Sequence, residues 1–313
     1  MKKLLQEAVL ERPLLGDGAM GTQLMFAGLE QGNCGEAWNL TYPERVLAIQ
    51  RRYAEAGSEC IITNTFGGSR IMLNRHSNAD HVVEINKAGV KIAREAFGDR
   101  DGYVLGDIGP FGGLLEPFGE FTQAQVQSAF EEQAGALVDG GADAIIIETQ
   151  TSLEELLIGI KAAQVAGAKC IIGSMAYDVT LDGSTFRTMM GVDPERAAEF
   201  MEEHGAHVVA LNCGTGMEME RARMAVERYK SATSLPVMVQ PNAGKPRLEN
   251  MKVVYDESPE QMVKGLLPLL ETGVNIVGAC CGSTPDHIRA FRPVMDKFIA
   301  SSRIELNGAK RES

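Results

Sequence analysis

The sequence is poor in aromatic residues, and this scarcity limits the ligand sites that it can build. Aromatic residues make up 6% of the 313 residues, and there is one tryptophan. A pocket for a quaternary ammonium or sulfonium group usually surrounds the cation with several aromatic faces. The composition therefore disfavours an aromatic cage.

Basic residues are also in the minority. The chain has 30 Lys and Arg against 42 Asp and Glu, which gives a formal net charge of −12. Nucleic acids and anionic membrane surfaces are both bound through clustered Lys and Arg. We therefore expect no nucleic-acid partner and no membrane partner.

Long hydrophobic runs are absent. No window approaches the roughly 18 apolar residues of a membrane-spanning helix. The N-terminus begins like a secretion signal, but Glu7, Glu11 and Arg12 interrupt the apolar region that such a signal needs. These features predict a cytoplasmic protein, in which the six cysteines are free, metal-bound or catalytic and not paired in disulfides.

The sequence also lacks a Pro/Ser-rich linker, which favours one domain. Short Ile/Val/Leu-rich runs alternate with longer helical patterns, as expected for parallel strands buried on both faces. Eight such runs, each followed by a helix, predict an α/β fold consisting of a single (β/α)₈ TIM barrel. An open doubly wound sheet is the alternative, because strand order cannot be read from one sequence. We expect an ordered core over about 14–298 and a frayed tail over 302–313. The runs are 14–18, 60–64, 103–108, 144–148, 170–176, 207–213, 236–240 and 275–279.

Polar residues collect where the predicted strands end, which is the side on which barrel enzymes carry their sites. They are Asp17, Thr63 to Thr65, Asp107, Glu148, Asn212 and Cys213, Gln240 to Asn242, and Cys280 and Cys281. Long loops are predicted on the same side over 21–38, 109–120, 177–190 and 242–256. Whether the loop 21–38 acts as a lid is left open by the sequence.

Three cysteines form the main candidate site. Cys213 ends the sixth predicted strand, and Cys280 and Cys281 end the eighth. Three thiolates around one Zn²⁺ leave a fourth tetrahedral position open, which is the arrangement of a catalytic zinc site. The spacing alone also allows buried hydrophobic cysteines or a strained disulfide, because no CxxC pair is present.

Other candidate ligands are weaker. Cys60 and Cys170 begin strands, far from the active rim, and are interpreted as small buried hydrophobic residues. Cys34 lies in the 21–38 loop and is interpreted as a lid residue, with an additional metal ligand as the alternative. Histidines such as His287 are expected in solvated helices or loops on the outside of the barrel.

A zinc ion with an open position suits reactions of a substrate thiol. Only the thiolate is a good nucleophile, and coordination to Zn²⁺ removes the thiol proton at neutral pH. Asp17 and Glu148 are suited to bind the ammonium of an amino-acid substrate, and the Gly18–Gly21 turn to bind its carboxylate. The alternative is that these acids cap helices or pair with Lys and Arg.

Eight segments carry a family resemblance in order along almost the whole chain. The chain resembles the homocysteine S-methyltransferase family, and within it the N-terminal homocysteine-binding module of cobalamin-dependent methionine synthases. The most specific pair is LNCG with GACCG. The segments are DGAMGT (17–22), EAWNLTYPERV (36–46), YAEAGSECIITNTFGGSR (53–70), GDIGPFG (106–112), IIIETQTSLEE (145–155), LNCGTG (211–216), VQPNAGKP (239–246) and GVNIVGACCGSTPDHI (273–288).

The resemblance implies a role for each matching residue. Cys213, Cys280 and Cys281 correspond to the ligands of one Zn²⁺ per chain, on which homocysteine is activated and methylated to methionine. Asp17 and Glu148 correspond to the acids that hold the homocysteine ammonium, and Gly18 and Ala19 to the turn that holds its carboxylate. Asn242 corresponds to a residue whose oxygen occupies the fourth zinc position without substrate, and Asn64 and Thr65 to the second-strand rim of the pocket.

The methyl donor stays open in the sequence. The resemblance favours methylcobalamin on a separate corrinoid protein, because no folate, cobalamin or reactivation module is present in the chain. The alternatives are a small donor such as S-methylmethionine, S-adenosylmethionine or betaine, a component of a corrinoid-dependent demethylating system, and a non-catalytic zinc-binding barrel. The low aromatic content disfavours the small donors, which need an aromatic cage.

Overall fold

The computed structural model describes residues 2–249 and 252–309, and its centre is one eight-stranded parallel sheet. We label the strands of this sheet β1 to β8 in chain order. The predicted strands are confirmed, with ends that differ by a few residues. The strands are Leu14–Leu15, Cys60–Ile62, Tyr103–Ile108, Ala144–Gln150, Ile171–Met175, Val208–Asn212, Val237–Gln240 and Ile276–Val277.

From β2 to β8 each strand pairs in parallel with the next, and β8 pairs with β1. Between β1 and β2 the Glu59 N–H donates to the Leu15 carbonyl at 2.7 Å. The Ile62 N–H donates to the Asp17 carboxylate at 2.9 Å, so a side chain extends this seam. The sheet therefore closes on itself, which confirms the barrel and excludes the open doubly wound sheet.

Helices surround the barrel and cover its outer face. Several begin with sequence-encoded caps: Ser258 and Thr122 form capping boxes, and Asp193 precedes a proline at the first helical position. The α-helices are Leu5–Ala8, Gly21–Phe26, Trp38–Thr41, Pro43–Ala56, Arg70–Asn74, Val82–Phe97, Gln123–Asp139, Leu153–Val165, Pro194–Glu203, Met219–Ala232, Pro259–Met262, Leu266–Glu271 and Pro285–Ala309, with 3₁₀ turns at Ala79–His81 and Val263–Gly265.

The inside of the barrel is filled by apolar side chains on one face of the strands. Leu105, Ile146, Ile172, Ala210 and Met238 belong to this buried cluster. The N-terminal helix adds Leu5 to it and closes the end of the barrel at which the strands begin. Cys60 and Cys170 are fully buried in the same cluster, as the interpretation of them as hydrophobic residues requires.

Several predicted loops contain regular structure. The segment 21–38 begins with the helix Gly21–Phe26, and 177–190 contains the antiparallel pair Asp178–Val179 and Phe186–Arg187. The segment 242–256 contains an antiparallel hairpin of Pro246–Glu249 and Lys252–Tyr255.

The C-terminal helix runs to Ala309, so the predicted frayed tail over 302–313 is helical as far as that residue, and residues 310–313 lie outside the described residues. Within 2–249 and 252–309, no helix is both long and apolar enough to cross a bilayer.

Candidate active site at the carboxyl ends of the strands

A polar layer lies directly above the apolar layer inside the barrel. Side chains two residues apart on a strand point to the same face. On these strands the residue two positions after the apolar inner residue is polar, so the polar side chains form the next layer. Asp107 follows Leu105 in this way, and Glu148 follows Ile146. The same alternation places Ser174, Asn212 and Gln240 on the inner face of β5, β6 and β7.

Three cysteine sulfurs meet at the edge of this layer. The Sγ atoms of Cys213, Cys280 and Cys281 all lie within 4.8 Å of one another. The Sγ of Cys281 is 3.7 Å from that of Cys213 and 3.9 Å from that of Cys280. A disulfide needs about 2.05 Å between sulfurs, so no disulfide joins these residues.

The sulfur separations fit a tetrahedral zinc site. Zn–S bonds of about 2.3 Å at tetrahedral angles place two sulfurs roughly 3.8 Å apart. The two sulfur contacts of Cys281, at 3.7 and 3.9 Å, lie on either side of this value. Three sulfurs fill three corners and leave one for another ligand.

The backbone at the end of β6 is strained so that Cys213 can reach the cluster. Cys213 has φ 57° and Gly214 has φ 88°, both in the left-handed region that L side chains disfavour. A Cβ on Gly214 would lie 1.7 Å from the Tyr177 carbonyl oxygen. Only glycine can therefore follow Cys213 while the chain after β5 holds its present path.

Backbone hydrogen bonds attach the two cysteine-bearing strand ends to the end of β7. The Cys213 N–H donates to the Gln240 carbonyl at 3.3 Å, and the Cys280 N–H to the Pro241 carbonyl at 2.8 Å. The Ala243 N–H donates back to the Cys281 carbonyl at 3.0 Å. The strand between the two cysteine-bearing strands thus fixes the spacing of the cluster.

Asn242 lies in this same junction. Its Nδ2 donates to the Gly214 carbonyl at 2.9 Å, whereas its buried Oδ1 has no hydrogen-bond partner in the structure. A buried acceptor without a partner costs free energy unless a ligand satisfies it. The oxygen is consequently suited to a metal ion or to a donor group of a substrate.

The sulfurs share protons unequally. Hydrogen bonds from Cys213, and then from Cys280, lower the pKa of Cys281 to about 3. The cluster therefore stabilises a thiolate at Cys281, which is the form of cysteine that binds metals.

Three carboxyl groups lie in the polar layer. Burial raises the pKa of Asp17 well above its usual value, and the charge of Glu148 raises it further. Burial, followed by the charges of Glu148 and Glu36, raises the pKa of Asp107 in the same direction. Burial and then the charge of Cys281 raise the pKa of Glu148 to about 7. No basic side chain offsets these shifts among the described residues, so the pocket is suited to a cationic group.

Local structure aims Glu148 into the pocket. The register of β4 shifts between Ile147 and Gln150, and Thr149 has φ 59°. Asn212 holds this irregular turn, because its Nδ2 donates to Thr149 Oγ1 at 2.8 Å and its Oδ1 accepts from the Thr149 N–H at 3.1 Å. Irregularities of this kind commonly redirect a side chain beside an active site.

The Gly18 turn is attached to the cysteine turn through Ser283. The Ala19 N–H donates to Ser283 Oγ at 3.0 Å, and the same hydroxyl donates to the Cys280 carbonyl at 2.7 Å. A Cβ on Gly18 would lie 2.6 Å from Ser283 Oγ and 2.9 Å from the Tyr53 ring. A carboxylate bound here would use other N–H groups of the turn, or displace Ser283 from Ala19.

Asn64 and Thr65 support the pocket from below. Asn64 Nδ2 donates to the Gly35 carbonyl at 2.8 Å, which holds the segment after β1. Thr65 is fully buried, and its hydroxyl donates to the Asp107 carbonyl at 2.8 Å. These contacts place both residues at the predicted rim and use their donors within the protein.

Asp107 and Gln240, which the sequence places at the active rim without a specific role, each have a buried side-chain oxygen without a hydrogen-bond partner. The alternation along β3 and β7 puts both on the inner face. Tyr255 was not predicted, because it lies on the unpredicted hairpin; a Cβ on Gly282 would lie 2.2 Å from its ring Cγ, so the ring lies beside the cysteine turn.

Some sequence interpretations need correction. His287 is buried, not solvated, and its Nε2 lies 3.0 Å from the Glu257 carbonyl oxygen. Cys34 is half-buried against the small cluster of Leu73, Val82 and Ile85, and its thiol donates to Glu36 at 3.3 Å. It is not part of the three-sulfur cluster.

The rim around the pocket exposes many large apolar side chains. They lie on the segments that follow β1, β2, β3 and β5, at the end of the barrel that carries the sulfurs. The exposed residues are Met25, Phe26, Phe66, Leu114, Phe118, Leu181, Met189 and Met190. Apolar surface of this kind often marks an interaction site.

Comparisons with known proteins identify the family of the chain. A family model described as homocysteine S-methyltransferase matches residues 14–295. The methionine synthase of Mycobacterium leprae is 35% identical over 303 residues, which cover 91% of this chain and 24% of that protein. The Mycobacterium tuberculosis methionine synthase is also 35% identical, with 25% of its length covered. The chain thus spans about a quarter of the length of these relatives.

Solved structures agree on the fold. The metallated form of the homocysteine methyltransferase MmuM from Escherichia coli superposes with a TM-score of 0.75 and 20% sequence identity. The superposition covers 92% of this chain and 99% of that one. Since the family model spans most of the sequence, the chain belongs to the homocysteine S-methyltransferase family of enzymes.

Proposed function

We propose that this protein transfers a methyl group to the thiol of homocysteine and forms methionine, with Zn²⁺ held by Cys213, Cys280 and Cys281. The observation that carries the proposal is the meeting of three sulfurs from two strand ends at tetrahedral spacing, with one corner left free. When bound, Zn²⁺ supplies the positive charge that removes a thiol proton at neutral pH.

The donor set supports zinc over other metals. Three thiolates are soft ligands, and they suit zinc better than the hard cations that prefer oxygen. The unpartnered Oδ1 of Asn242 lies in the junction that joins Gly214 to the end of β7. We assign this oxygen to the fourth position when homocysteine is absent, and the substrate sulfur displaces it.

The carboxyl groups bind the substrate ammonium. Burial raises the pKa of both acids, and the charge of Glu148 raises that of Asp17 further, so a bound cation favours the charged form of both carboxyl groups. The unpartnered oxygens of Asp107 and Gln240 offer two more acceptors in the same layer. An ammonium has three N–H donors, which these groups satisfy while the thiol points to the cysteine cluster.

The turn at Gly18 and Ala19 binds the substrate carboxylate. It lies beside the cysteine turn, to which Ser283 attaches it. With ammonium, carboxylate and sulfur each fixed, the substrate sulfur has one orientation relative to an incoming methyl group. Such positioning supplies a large part of the rate in two-substrate reactions.

The exposed apolar rim favours a donor carried by another protein. We assign methylcobalamin on a separate corrinoid protein, because the planar cofactor and its carrier would cover the side chains that surround the pocket, such as Phe26, Phe118 and Met189. S-methylmethionine, S-adenosylmethionine and betaine are the alternative donors. A corrinoid-dependent demethylating component and a non-catalytic zinc barrel are the further alternatives.

A metal, substrate and donor series tests the proposal. Metal analysis should give one zinc per chain, and homocysteine should bind the zinc-loaded protein, with a thiol proton released on binding. Purified protein is then incubated with homocysteine and methylcobalamin, free or on a corrinoid protein, or with each small donor in turn. Binding of zinc without homocysteine would favour the non-catalytic barrel, and turnover with betaine alone would overturn the corrinoid assignment.

A further inference from the structure

Two strained residues of the pocket are joined through one side chain. Among the described residues, three non-glycine residues have φ in the left-handed region, and two of them are Thr149, with φ 59°, and Cys213, with φ 57°. L-residues keep this conformation only where the surrounding structure holds it. Thr149 follows Glu148, which we assign to the substrate ammonium, and Cys213 is an assigned zinc ligand. Asn212 connects the two.

The irregularity in β4 is completed by the Asn212 side chain. Glu148 and Thr149 both lie opposite Ser174 of β5, because the register of the two strands shifts there. The Thr149 N–H donates to Asn212 Oδ1 at 3.1 Å, and Asn212 Nδ2 donates to Thr149 Oγ1 at 2.8 Å. A residue of β6 therefore fixes the turn that presents Glu148.

Asn212 reaches across three strand ends. The Ser174 hydroxyl on β5 donates to its Oδ1 at 2.7 Å, so the side chain spans β5 on its way to β4. Both residues are buried, with 1% of Asn212 and none of Ser174 exposed, so water does not compete for these bonds. Cys213 is the next residue along the chain. Asn212 is thus bonded covalently to a metal ligand and by hydrogen bonds to the neighbour of the acid.

This connection fixes the separation between the two groups that an amino-acid thiol has to reach. In the proposed complex its ammonium lies at Glu148 and its sulfur at the metal, so the carbon chain between them must match that separation. Homocysteine carries its thiol on the γ-carbon, whereas cysteine carries it on the β-carbon and is one methylene group shorter. A separation that fits homocysteine leaves cysteine unable to fill both positions at once.

We propose that Asn212 is a positioning residue that sets the substrate length, so that the pocket selects a γ-thiol amino acid over a β-thiol amino acid. This inference rests on the proposed function, because it needs both the ammonium at Glu148 and the sulfur at the metal. It explains why one buried side chain holds two residues in a disfavoured conformation.

The relative affinity for two thiols tests the inference. Calorimetry with the zinc-loaded protein measures the affinity for homocysteine and for cysteine, and the ratio of the two is the readout. Loss of stability or of zinc lowers both affinities and leaves their ratio unchanged. Binding of 2-mercaptoethanol, a thiol without an ammonium, measures the metal site alone.

Four variants separate the contacts of Asn212. Asn212→Ala removes all three side-chain hydrogen bonds, Thr149→Val removes only the bond to the Thr149 hydroxyl, and Thr149→Ser keeps that bond. Asn275→Ala is the matched control. The Asn275 Oδ1 also accepts a strand N–H, from Val237 at 2.9 Å, but at the opposite end of the barrel.

The wild type should prefer homocysteine about 10- to 200-fold, which is the usual discrimination for one methylene group. The preference should fall about tenfold in Asn212→Ala, because a supporting residue of the site is lost. It should fall about fivefold in Thr149→Val, because one hydrogen bond is lost. Thr149→Ser and Asn275→Ala should keep the wild-type preference, and the affinity of Thr149→Val for 2-mercaptoethanol should not change.

Several outcomes would overturn the inference. An unchanged preference in folded, zinc-loaded Asn212→Ala would leave Asn212 a packing role only. If Asn212→Ala does not fold or does not hold zinc, Thr149→Val decides, and an unchanged preference there would refute the inference. A wild type that binds cysteine as tightly as homocysteine would contradict selection by length. A zinc-loaded wild type that binds no thiol would instead remove the proposed function itself.

Discussion

Replacement of Gly214 by alanine should damage both the fold and the metal site. The new Cβ would lie 1.7 Å from the Tyr177 carbonyl oxygen. Since C···O contacts are rarely closer than about 3.3 Å, the turn or the Tyr177 backbone must move by roughly 1.6 Å. The residue would also hold φ 88°, in the left-handed region.

The two effects can be given magnitudes. A left-handed conformation costs an L-residue roughly 1–2 kcal/mol, and overpacking of this kind costs a further 1–3 kcal/mol. The sum of about 2–5 kcal/mol should lower the melting temperature of this 313-residue chain by roughly 3–8 °C. Because Cys213 precedes the displaced residue, its sulfur should leave the cluster and zinc affinity should fall at least tenfold.

Gly167→Ala is the matched control. Gly167 has φ 75°, and its Cβ would meet nothing within 4 Å. This variant should pay the conformational cost alone, roughly 1–2 kcal/mol, and keep its zinc. Thermal unfolding followed by circular dichroism and zinc competition with a chelator measure the two quantities. If Gly214→Ala matched Gly167→Ala in both, the close approach to Tyr177 would not constrain the site.

Three other substitutions separate the roles of single residues. In Cys281→Ala the zinc affinity should fall about 100-fold or more, while the helical content stays the same. Cys60→Ala, in the barrel core, should keep its zinc but melt at a lower temperature. Equal zinc retention in the two variants would contradict the ligand assignment. Asp17→Asn should weaken homocysteine binding about 10- to 100-fold, because a charge-assisted hydrogen bond is lost, and its zinc content should not change. Calorimetry measures the affinity for homocysteine, and an unchanged affinity would contradict the ammonium role. Burial raises the pKa of Glu155 to about 7, so its contribution to stability is present below about pH 4.5 and is lost as pH rises through 7. Glu155→Gln should therefore have a free energy of unfolding up to about 3 kcal/mol higher than the wild type above pH 8, and about the same free energy near pH 4. Denaturant unfolding at several pH values measures this difference. A difference that does not change with pH would refute the raised pKa.

Hydrophobic periodicity was sufficient for the eight buried parallel strands, because such strands have a distinctive continuous apolar pattern. It did not decide between a barrel and an open sheet, because the pairing of β1 with β8 is a long-range contact. The predicted strand from Tyr103 to Ile108 has those bounds in the structure. The predicted end of a strand was less accurate where a turn begins inside the predicted run. The first strand, for example, ends at Leu15, because the chain turns there.

The sequence contains several Ser/Thr-x-x-Glu/Gln motifs of the capping-box type, and only some of them form the box. Thr122 and Ser258 do, but Thr41 ends a short helix and its hydroxyl donates to the Ala37 carbonyl. Ser152 caps its helix, whereas Glu155 turns away to accept the Phe111 N–H at 2.8 Å. At Thr41 and at Glu155, a contact elsewhere in the fold or in the neighbouring helix therefore replaces the hydrogen bond of the capping box.

The sulfur cluster was foreseeable only in outline. Strand order in a barrel places the ends of β6 and β8 on one rim, but the strained turn at Cys213 and Gly214 depends on the distant Tyr177 carbonyl. Likewise, the Tyr255 ring lies against Gly282, beside the cysteine turn, on a hairpin within a region predicted as a loop. Long-range contacts of this kind have no short-range sequence signature.

The seam between β1 and β2 joins substrate recognition to closure of the barrel. Asp17 accepts the Ile62 amide in place of a backbone carbonyl, so the group assigned to the ammonium also completes the sheet. Evolution toward a substrate without an ammonium could not simply discard this acid, since the seam would lose an acceptor. An amide side chain could replace the acid and still accept the Ile62 N–H, whereas an apolar side chain could not. This requirement restricts the substitutions by which the pocket could acquire new substrates.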